Sequence, residues 1–293
     1  MTNALAVEAW TSASELDRVS HHRRSEAWVA GLWRADDARL LKLDADANFT
    51  TCRGGSRLRM TKPFVDFDPS RHRLLGLVDG SPVFAVQALT EGEVHSLREV
   101  GGELTDLERD IAAAATAVVR WHQQEPNCPR CGGPSSVING GYARFCTECA
   151  EEHYPRTDPA IIVAVVDADD RLLLGRQASW GTRVSVLAGF VEAGESLEQA
   201  IHREVGEEVD LGLTALRYFG SQPWPFPRSL MTGFFARAES TAICVDTEEI
   251  AWAGWFTRDE LTEKLATGEI GLPGPSSIAH RLIQAWRDDT FRC

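Results

Sequence analysis

Residues 187–213 read LAGFVEAGESLEQAIHREVGEEVDLGL. Ser196 and Gln199 stand three apart ahead of an apolar run, the spacing of a capping box, so a helix is expected to start at about Leu197. Gly194 and Glu195 fall in the loop before it. On a helix turning about 100° per residue, Glu204, Glu207 and Glu208 share an arc of about 100°, and residues three and four apart are side-chain neighbours. Carboxylates that close repel one another, which costs stability or raises the pKa of one of them unless a cation intervenes. Their arc also overlaps the apolar stripe of Leu197, Ala200, Ile201 and Val205, whereas a solvated charged face would lie opposite it. The glutamates are therefore expected at the edge of the interior. There Mg²⁺, which takes oxygen ligands and bridges to phosphates, accounts for them, and Arg203 is placed to neutralise or orient one carboxylate. From the residues alone, an exposed acidic helix is the other reading.

Outward from this helix, residues 160–167 form an apolar, β-branched run suited to a buried strand, and 171–175 suit a paired one. Further strands are expected near 216–220, 230–236 and 253–256, and a terminal helix over 276–288. Strands and helices mix without strict alternation, which favours an α+β fold, an α/β/α sandwich on a mixed sheet. Upstream, residues 40–43, 74–78 and 83–86 read as short strands between Gly, Pro and Asp signals. A helix is expected from Leu104 to about Gln124, with Thr105 and Glu108 as its capping box and Pro126 beyond its end. Trp10, Trp28 and Trp33 read as packing residues of this first part. At 293 residues the chain has room for about two domains and a small insert. The divisions are placed at 1–125, 126–155 and 156–293.

The insert is set by cysteine spacing. Cys128-Pro-Arg-Cys131 and Cys146-Thr-Glu-Cys149 are two C-x-x-C pairs, a spacing that suits four thiolates about 2.3 Å from one Zn²⁺. Gly132 and Gly133 suit the turn beyond the first pair. Disulfides or a redox pair are the alternatives, but one redox site needs no second matched pair. With every ligand position filled by protein, the zinc is expected to be structural. Cys52, Cys244 and Cys293 remain as plain thiols.

A second unusual stretch is residues 221–229, SQPWPFPRS. Three alternate prolines fix φ near −65° and forbid a helix, holding Trp224 and Phe226 on a stiff, extended loop. It suits recognition of a flat heterocycle; a structural connector accounts equally well for its composition.

Gly189, Glu195 and the run Arg203-Glu204-Val205-Gly206-Glu207-Glu208 together resemble the Nudix box, and residues 221–229 resemble the SQPWPxPxS motif of the NADH pyrophosphatases within the Nudix hydrolases. One position departs: Asp210 stands where the box has a glycine, a residue that serves as a helix C-cap with positive φ. The resemblance implies a Nudix α/β/α sandwich preceded by a zinc ribbon and an N-terminal rudimentary Nudix-like domain. It implies hydrolysis of the diphosphate of NAD(H) to NMN(H) and AMP, with removal of NAD caps from RNA 5′ ends as the same cleavage. By motif, Glu204, Glu208 and Glu249 correspond to Mg²⁺ or Mn²⁺ ligands, with Glu207 assisting, Ala188 offering its carbonyl, and Glu208 nearest the attacking water. Gln222, Pro223, Trp224, Pro225, Phe226, Pro227, Arg228 and Ser229 correspond to the substrate loop. Tyr154 and Phe190 resemble the aromatic residues around the nicotinamide half, and Arg98 and Ala279 resemble weaker substrate contacts. A homodimer is also implied. Two further readings stand beside this one: a Nudix enzyme for another dinucleotide such as ADP-ribose, and a non-catalytic dinucleotide sensor.

Composition bounds these readings. With 43% hydrophobic and 25% charged residues the chain is an ordinary globular one. Its net charge of −13 argues against a broad basic surface for nucleic acid. The first thirty residues hold dispersed charges rather than an apolar run, and no stretch approaches the roughly 20 apolar residues of a membrane span. A soluble, cytoplasmic protein is expected, with no membrane partner.

Overall fold

The computed structural model describes residues 12–52 and 55–291; Trp10 and Cys293 lie outside them. The chain divides into two units, one of Ala13–Thr157 with Pro225–Arg228, the other built on Asp158–Trp224 and the chain from Ser229 onward.

In the first unit, helix α1 (Glu26–Trp33) starts where the Ser25 side chain accepts the Trp28 N–H, and it buries Val29 and Trp33. Seven short strands follow: β1 (Arg39–Leu43), β2 (Phe49–Cys52), β3 (Arg57–Leu58), β4 (Met60–Thr61), β5 (Arg73–Val78), β6 (Ser81–Gln87) and β7 (Val94–His95). They form one sheet of order β3-β2-β1-β6-β5, with β4 on β1 and β7 on β2. Only β1 and β6 run parallel. Val29 and Trp33 of α1 pack there with Leu40, Leu74, Phe84 and Val86, and Trp28 packs half-buried against the same cluster. After α2 (Leu97–Val100), the alanine-rich α3 (Asp106–Gln124) buries one face along its length. Thr105 caps it as expected, accepting the Glu108 N–H. Glu108 does not complete the box: its buried carboxylate accepts the Leu58 N–H at 2.7 Å and Arg57 Nη1 at 3.3 Å. A strand N–H facing the interior needs an acceptor, and Glu108 supplies it. Strands β8 (Ser135–Ile138), β9 (Ala143–Cys146) and β10 (Glu152–His153) form a separate antiparallel sheet around the four cysteines.

The second unit is the mixed sheet anticipated from residues 160–256. Its strands are β11 (Asp158–Val166), β12 (Leu172–Arg176), β13 (Leu187–Phe190), β14 (Leu213–Trp224), β15 (Ser229–Ala238) and β16 (Trp252–Phe256), in the order β14-β15-β11-β12-β16 with β13 on β11. β11 and β15 pair in parallel and the other pairs are antiparallel. Side chains alternate along a strand, and β11 shows what that achieves. Ile161, Val163 and Val165 pack on one face with Ile201, Val205 and Val209 of α4 (Leu197–Val209). Ile162, Ala164 and Val166 pack on the other with Leu261 of α5 (Arg258–Ala266) and Leu282 and Trp286 of α6 (Ile278–Arg287). A sheet covered on both faces makes its central strand a continuous apolar run, as residues 160–166 are. This is the α/β/α sandwich of an α+β fold. β14 lies at the sheet edge, carries register shifts between Leu213 and Ala215 and between Tyr218 and Gly220, and includes Pro223. No helix among the described residues is long and apolar enough to cross a membrane.

Both ends of α4 follow from its sequence. The Ser196–Gln199 box is formed in both directions. The helix closes on Asp210, which is left-handed at φ 56°, ψ 43° and donates its N–H to Gly206 O. An L-residue is strained there and glycine is not. Asp210→Gly is expected to stabilise the protein by roughly 0.5–1 kcal/mol, read as a higher urea midpoint at unchanged slope. A lower midpoint would mean that the aspartate side chain contributes more at this cap than the backbone strain costs.

Candidate active site

Helix α4 presents its inward edge to an open cleft of about 750 Å³ in the second unit. Glu204 and Glu208 are buried on it, at 8% and 6% exposure, one turn apart. Glu249 reaches the same point from an exposed loop, and the three offer carboxylate oxygens within 4.8 Å of one another. The last carbonyls of a helix lack intrahelical partners. Here the Asp246 N–H donates to Glu208 O and the Cys244 N–H to Val209 O, each at 3.1 Å. The buried Ile250 anchors the far side of the loop through an N–H bond to Asp246 O. These backbone bonds hold Glu249 beside α4.

Arg203 organises the rim. Its Nε and Nη2 grip Glu195 at 2.7 and 2.9 Å, its Nη1 bonds Glu204 at 2.9 Å and Glu207 at 3.0 Å, and its Nη2 also donates to Phe190 O at 2.8 Å. The hydrogen bonds from Arg203 hold the Glu195 carboxyl down at about 2. Glu208 has no such partner. Burial first, then the charges of Glu204, Glu249 and Glu207, push it up to about 8, and its Oε2 is buried without a hydrogen bond. Burial likewise raises Glu204. Gly189 completes the cradle, because a Cβ there would come within 2.2 Å of the Glu204 carboxylate. A cluster of oxygens, two of the carboxylates buried and one oxygen orphaned, fits a hard divalent cation.

The cleft is also lined by Ala188, Phe190, Glu192, Glu207 and Glu248, and by the turn 177–179, which carried no sequence signal. Phe190 is 58% exposed there. The other expected substrate residues are not among those that line it. The Gln222 carboxamide is buried and engaged at both ends, donating to Ser276 O and accepting from Ile278 N, each at 2.6 Å. It thereby ties edge strand β14 to the start of α6, where Ala279 is itself buried. Pro223 and Trp224 continue β14, paired with Leu230 and Ser229, so this part of the proline stretch is strand rather than loop. Proline is admissible because the strand is an edge. The turn Pro225–Arg228 belongs to the first unit. There Phe226 lies 5.0 Å from the Arg98 guanidinium and 5.3 Å from that of Arg120, and Arg228 pairs with Glu125 at 3.1 Å; Pro227 follows a cis bond. Tyr154, half exposed in the same unit, donates to Glu152 at 2.6 Å.

The four cysteines converge separately, with Cys128 and Cys149 sulfurs 3.6 Å apart and Cys131 and Cys146 sulfurs 3.5 Å apart. That is far beyond the ~2.05 Å of a disulfide and near the spacing of about 3.8 Å that tetrahedral Zn–S bonds of ~2.3 Å require. The two turns match: Gly132 N–H donates to Cys128 O and Ala150 N–H to Cys146 O, and both donors have positive φ.

Residues 156–272 match the family described as the NUDIX domain, and residues 128–154 match the NADH pyrophosphatase zinc ribbon domain. The chain is similar to the NAD-capped RNA hydrolase NudC of Mycobacterium bovis (strain BCG / Pasteur 1173P2), 37% identical over 289 residues covering 92% of each protein. It is similar to the protein of that name in Citrobacter koseri, 37% identical over 219 residues, 75% of this chain and 82% of that one. The NAD-capped RNA hydrolase NUDT12 of Macaca fascicularis is 40% identical over 197 residues, 63% of this chain and 43% of that one.

The crowding at Glu208 has a consequence for the metal-free protein. A carboxyl raised in the folded state contributes stability below its unfolded value and loses it as pH rises through its folded value. For Glu208 that window runs from 4.5 to about 8. Glu208→Gln removes the buried charge, so above pH 8 the metal-free variant is expected to melt a few degrees higher than the parent, at roughly 2–4 °C per kcal/mol for a chain of this size. Below pH 4.5 the difference should vanish. A variant that melts lower at high pH would contradict this picture of the site.

Proposed function

Because this chain belongs to the Nudix hydrolases, in the group of the NADH pyrophosphatases and NAD-capped RNA hydrolases, we propose that its acidic cleft hydrolyses the diphosphate bridge of NAD(H) to NMN(H) and AMP. The same bond joins an NAD cap to an RNA 5′ end, which makes capped RNA a substrate of the same chemistry. The observation that carries this reading is the convergence of Glu204, Glu208 and Glu249 within 4.8 Å on one cleft. An acidic cleft repels a diphosphate, so binding one requires cations between the two.

Glu204, Glu208 and Glu249 are assigned to hold Mg²⁺ or Mn²⁺, with the Ala188 carbonyl beside them. When bound, the metal neutralises the diphosphate and lowers the pKa of the attacking water. Arg203 fixes the Glu204 and Glu207 carboxylates, so the site is arranged before substrate arrives. Glu208 is the group assigned nearest the attacking water, to take its proton. The water oxygen bonds to one phosphorus, the bridging P–O bond breaks, and two monophosphates leave. Phe190, exposed on the cleft wall, offers an apolar face to the nicotinamide ring. Arg98 and residues 222–229, from Gln222 to Ser229, with Ala279, are assigned to the substrate; for Gln222 and Ala279 the contribution is to shape the backbone that meets it. Cys128, Cys131, Cys146 and Cys149 hold one structural Zn²⁺. The protein works in the cytoplasm as a homodimer under this proposal.

Incubating the zinc-loaded protein with NADH and Mn²⁺ is expected to give NMNH and AMP in equal amounts. Glu208→Gln is expected to lower kcat by about 10²–10⁴, the range of a general acid–base group, without unfolding the protein. Absence of turnover by the parent protein, with dinucleotide binding retained, would identify a sensor instead.

A further inference from the structure

The first unit holds a cationic cavity that the hydrolytic chemistry does not use. It measures about 220 Å³ and is lined by Arg71 in the turn before β5, Arg73 at its start, His122 on α3 and Arg144 on β9. No aspartate or glutamate lines it, although the chain carries a net charge of −13. Arg73 and Arg144 are buried, at 7% and 8% exposure. Neither they nor Arg71 form an ion pair among the described residues. Asp68, the carboxylate whose charge reaches Arg73, turns its Oδ1 to the Ser70 N–H and hydroxyl instead.

Buried guanidiniums are ordinarily paired. These are held by neutral groups and stand close enough to repel each other. Arg73 donates to Pro69 O and Ser70 O; Arg144 donates to Pro126 O, Ser135 O and Ser135 Oγ. His122 adds no charge. Its Nε2 faces Gly141 O at 2.8 Å and must donate, which leaves Nδ1 to accept from Arg144 Nη1 at 3.0 Å. Burial, with the charge of Arg73 next, drives His122 down to about 3, consistent with that neutral ring. The arginines are also fixed in position: Gly141 packs against Arg73, and a Cβ there would come within 2.3 Å of Arg73 Cδ. Carbonyls and a neutral imidazole thus set two guanidiniums rigidly at a cavity. Arg73 keeps N–H donors that no acceptor among the described residues takes, and the Arg71 side chain, which the charge of Asp68 reaches, makes no hydrogen bond or ion pair among them.

We propose that this cavity binds a phosphate group, taken between Arg71, Arg73 and Arg144. Its volume suits one tetrahedral oxyanion with attached atoms. Charge-assisted bonds from several guanidiniums are how proteins recognise phosphate. The group comes either from a free nucleotide or phosphate or from the backbone of an RNA strand, and the test separates these sources.

The zinc-loaded full chain is titrated, without Mg²⁺ or Mn²⁺, against inorganic phosphate, AMP and a short oligoribonucleotide with a 5′ hydroxyl. Calorimetry and melting temperature follow binding. Saturable binding of phosphate with a rise in melting temperature is expected. Arg71→Gln, which removes no internal bond, is expected to weaken it about tenfold, the loss of one charge-assisted contact. Arg73→Gln, checked for folding by circular dichroism, is expected to weaken it further. An oligonucleotide that binds no tighter than AMP marks a free phosphate. Tighter oligonucleotide binding, with a salt slope that falls by about one in Arg71→Gln, marks the strand. No saturable binding of any of the three ligands, or binding that Arg71→Gln leaves unchanged, would overturn the proposal.

Discussion

Two glutamates on the buried edge of a helix impose most of the conditions met by the second unit. A carboxylate taken out of water must find a donor, a proton or a cation. Glu204 has a donor in Arg203, while the inner oxygen of Glu208 has none. The surroundings of α4 follow from that difference. Arg203 is saturated by three carboxylates and a carbonyl, and among the described residues no other cation pairs with Glu208 or Glu249. Gly189 has no side chain because the Glu204 carboxylate occupies its place. The loop after β15 is bonded to the helix end, so that a third carboxylate adds to the repulsion instead of relieving it. Such an arrangement is costly for stability alone and suited to an ion that arrives from solution.

The rest of the sandwich serves to hold that helix still. β11 packs α4 on one face and α5 and α6 on the other, so the carboxylates project from a helix fixed by a core rather than from a mobile loop. The zinc ribbon is a different solution to a similar problem. Its segment is too small for an apolar core, and four converging sulfurs substitute for one.

Local chemistry was legible in the sequence and distant partnership was not. The Ser196–Gln199 box, the one-turn spacing of Glu204 and Glu208 and the paired cysteines depend on neighbours a few residues away, and each formed as the spacing implied. Thr105 was equally legible as a cap, but Glu108 was drawn away by Leu58, fifty residues earlier in the chain. Gln222 looked like a group free to meet a ligand, and only the fold brings Ser276 and Ile278 to its amide. The difference between Glu207, exposed, and Glu208, buried, also depends on the sheet beneath them. Periodicity alone places both on one arc. β14 was visible only over its middle, because prolines near its end signal a break unless the strand is known to lie at an edge.

That edge has a consequence for the protein in concentrated solution. A strand as long as β14 offers an open row of amides and carbonyls on which another chain could add itself and begin aggregation. Its two register shifts twist the row out of line, and Pro223 removes one amide from it. The stretch that marks this chain most distinctively thus also guards the sheet against growing sideways, and smoothing it into a regular strand would trade solubility for regularity.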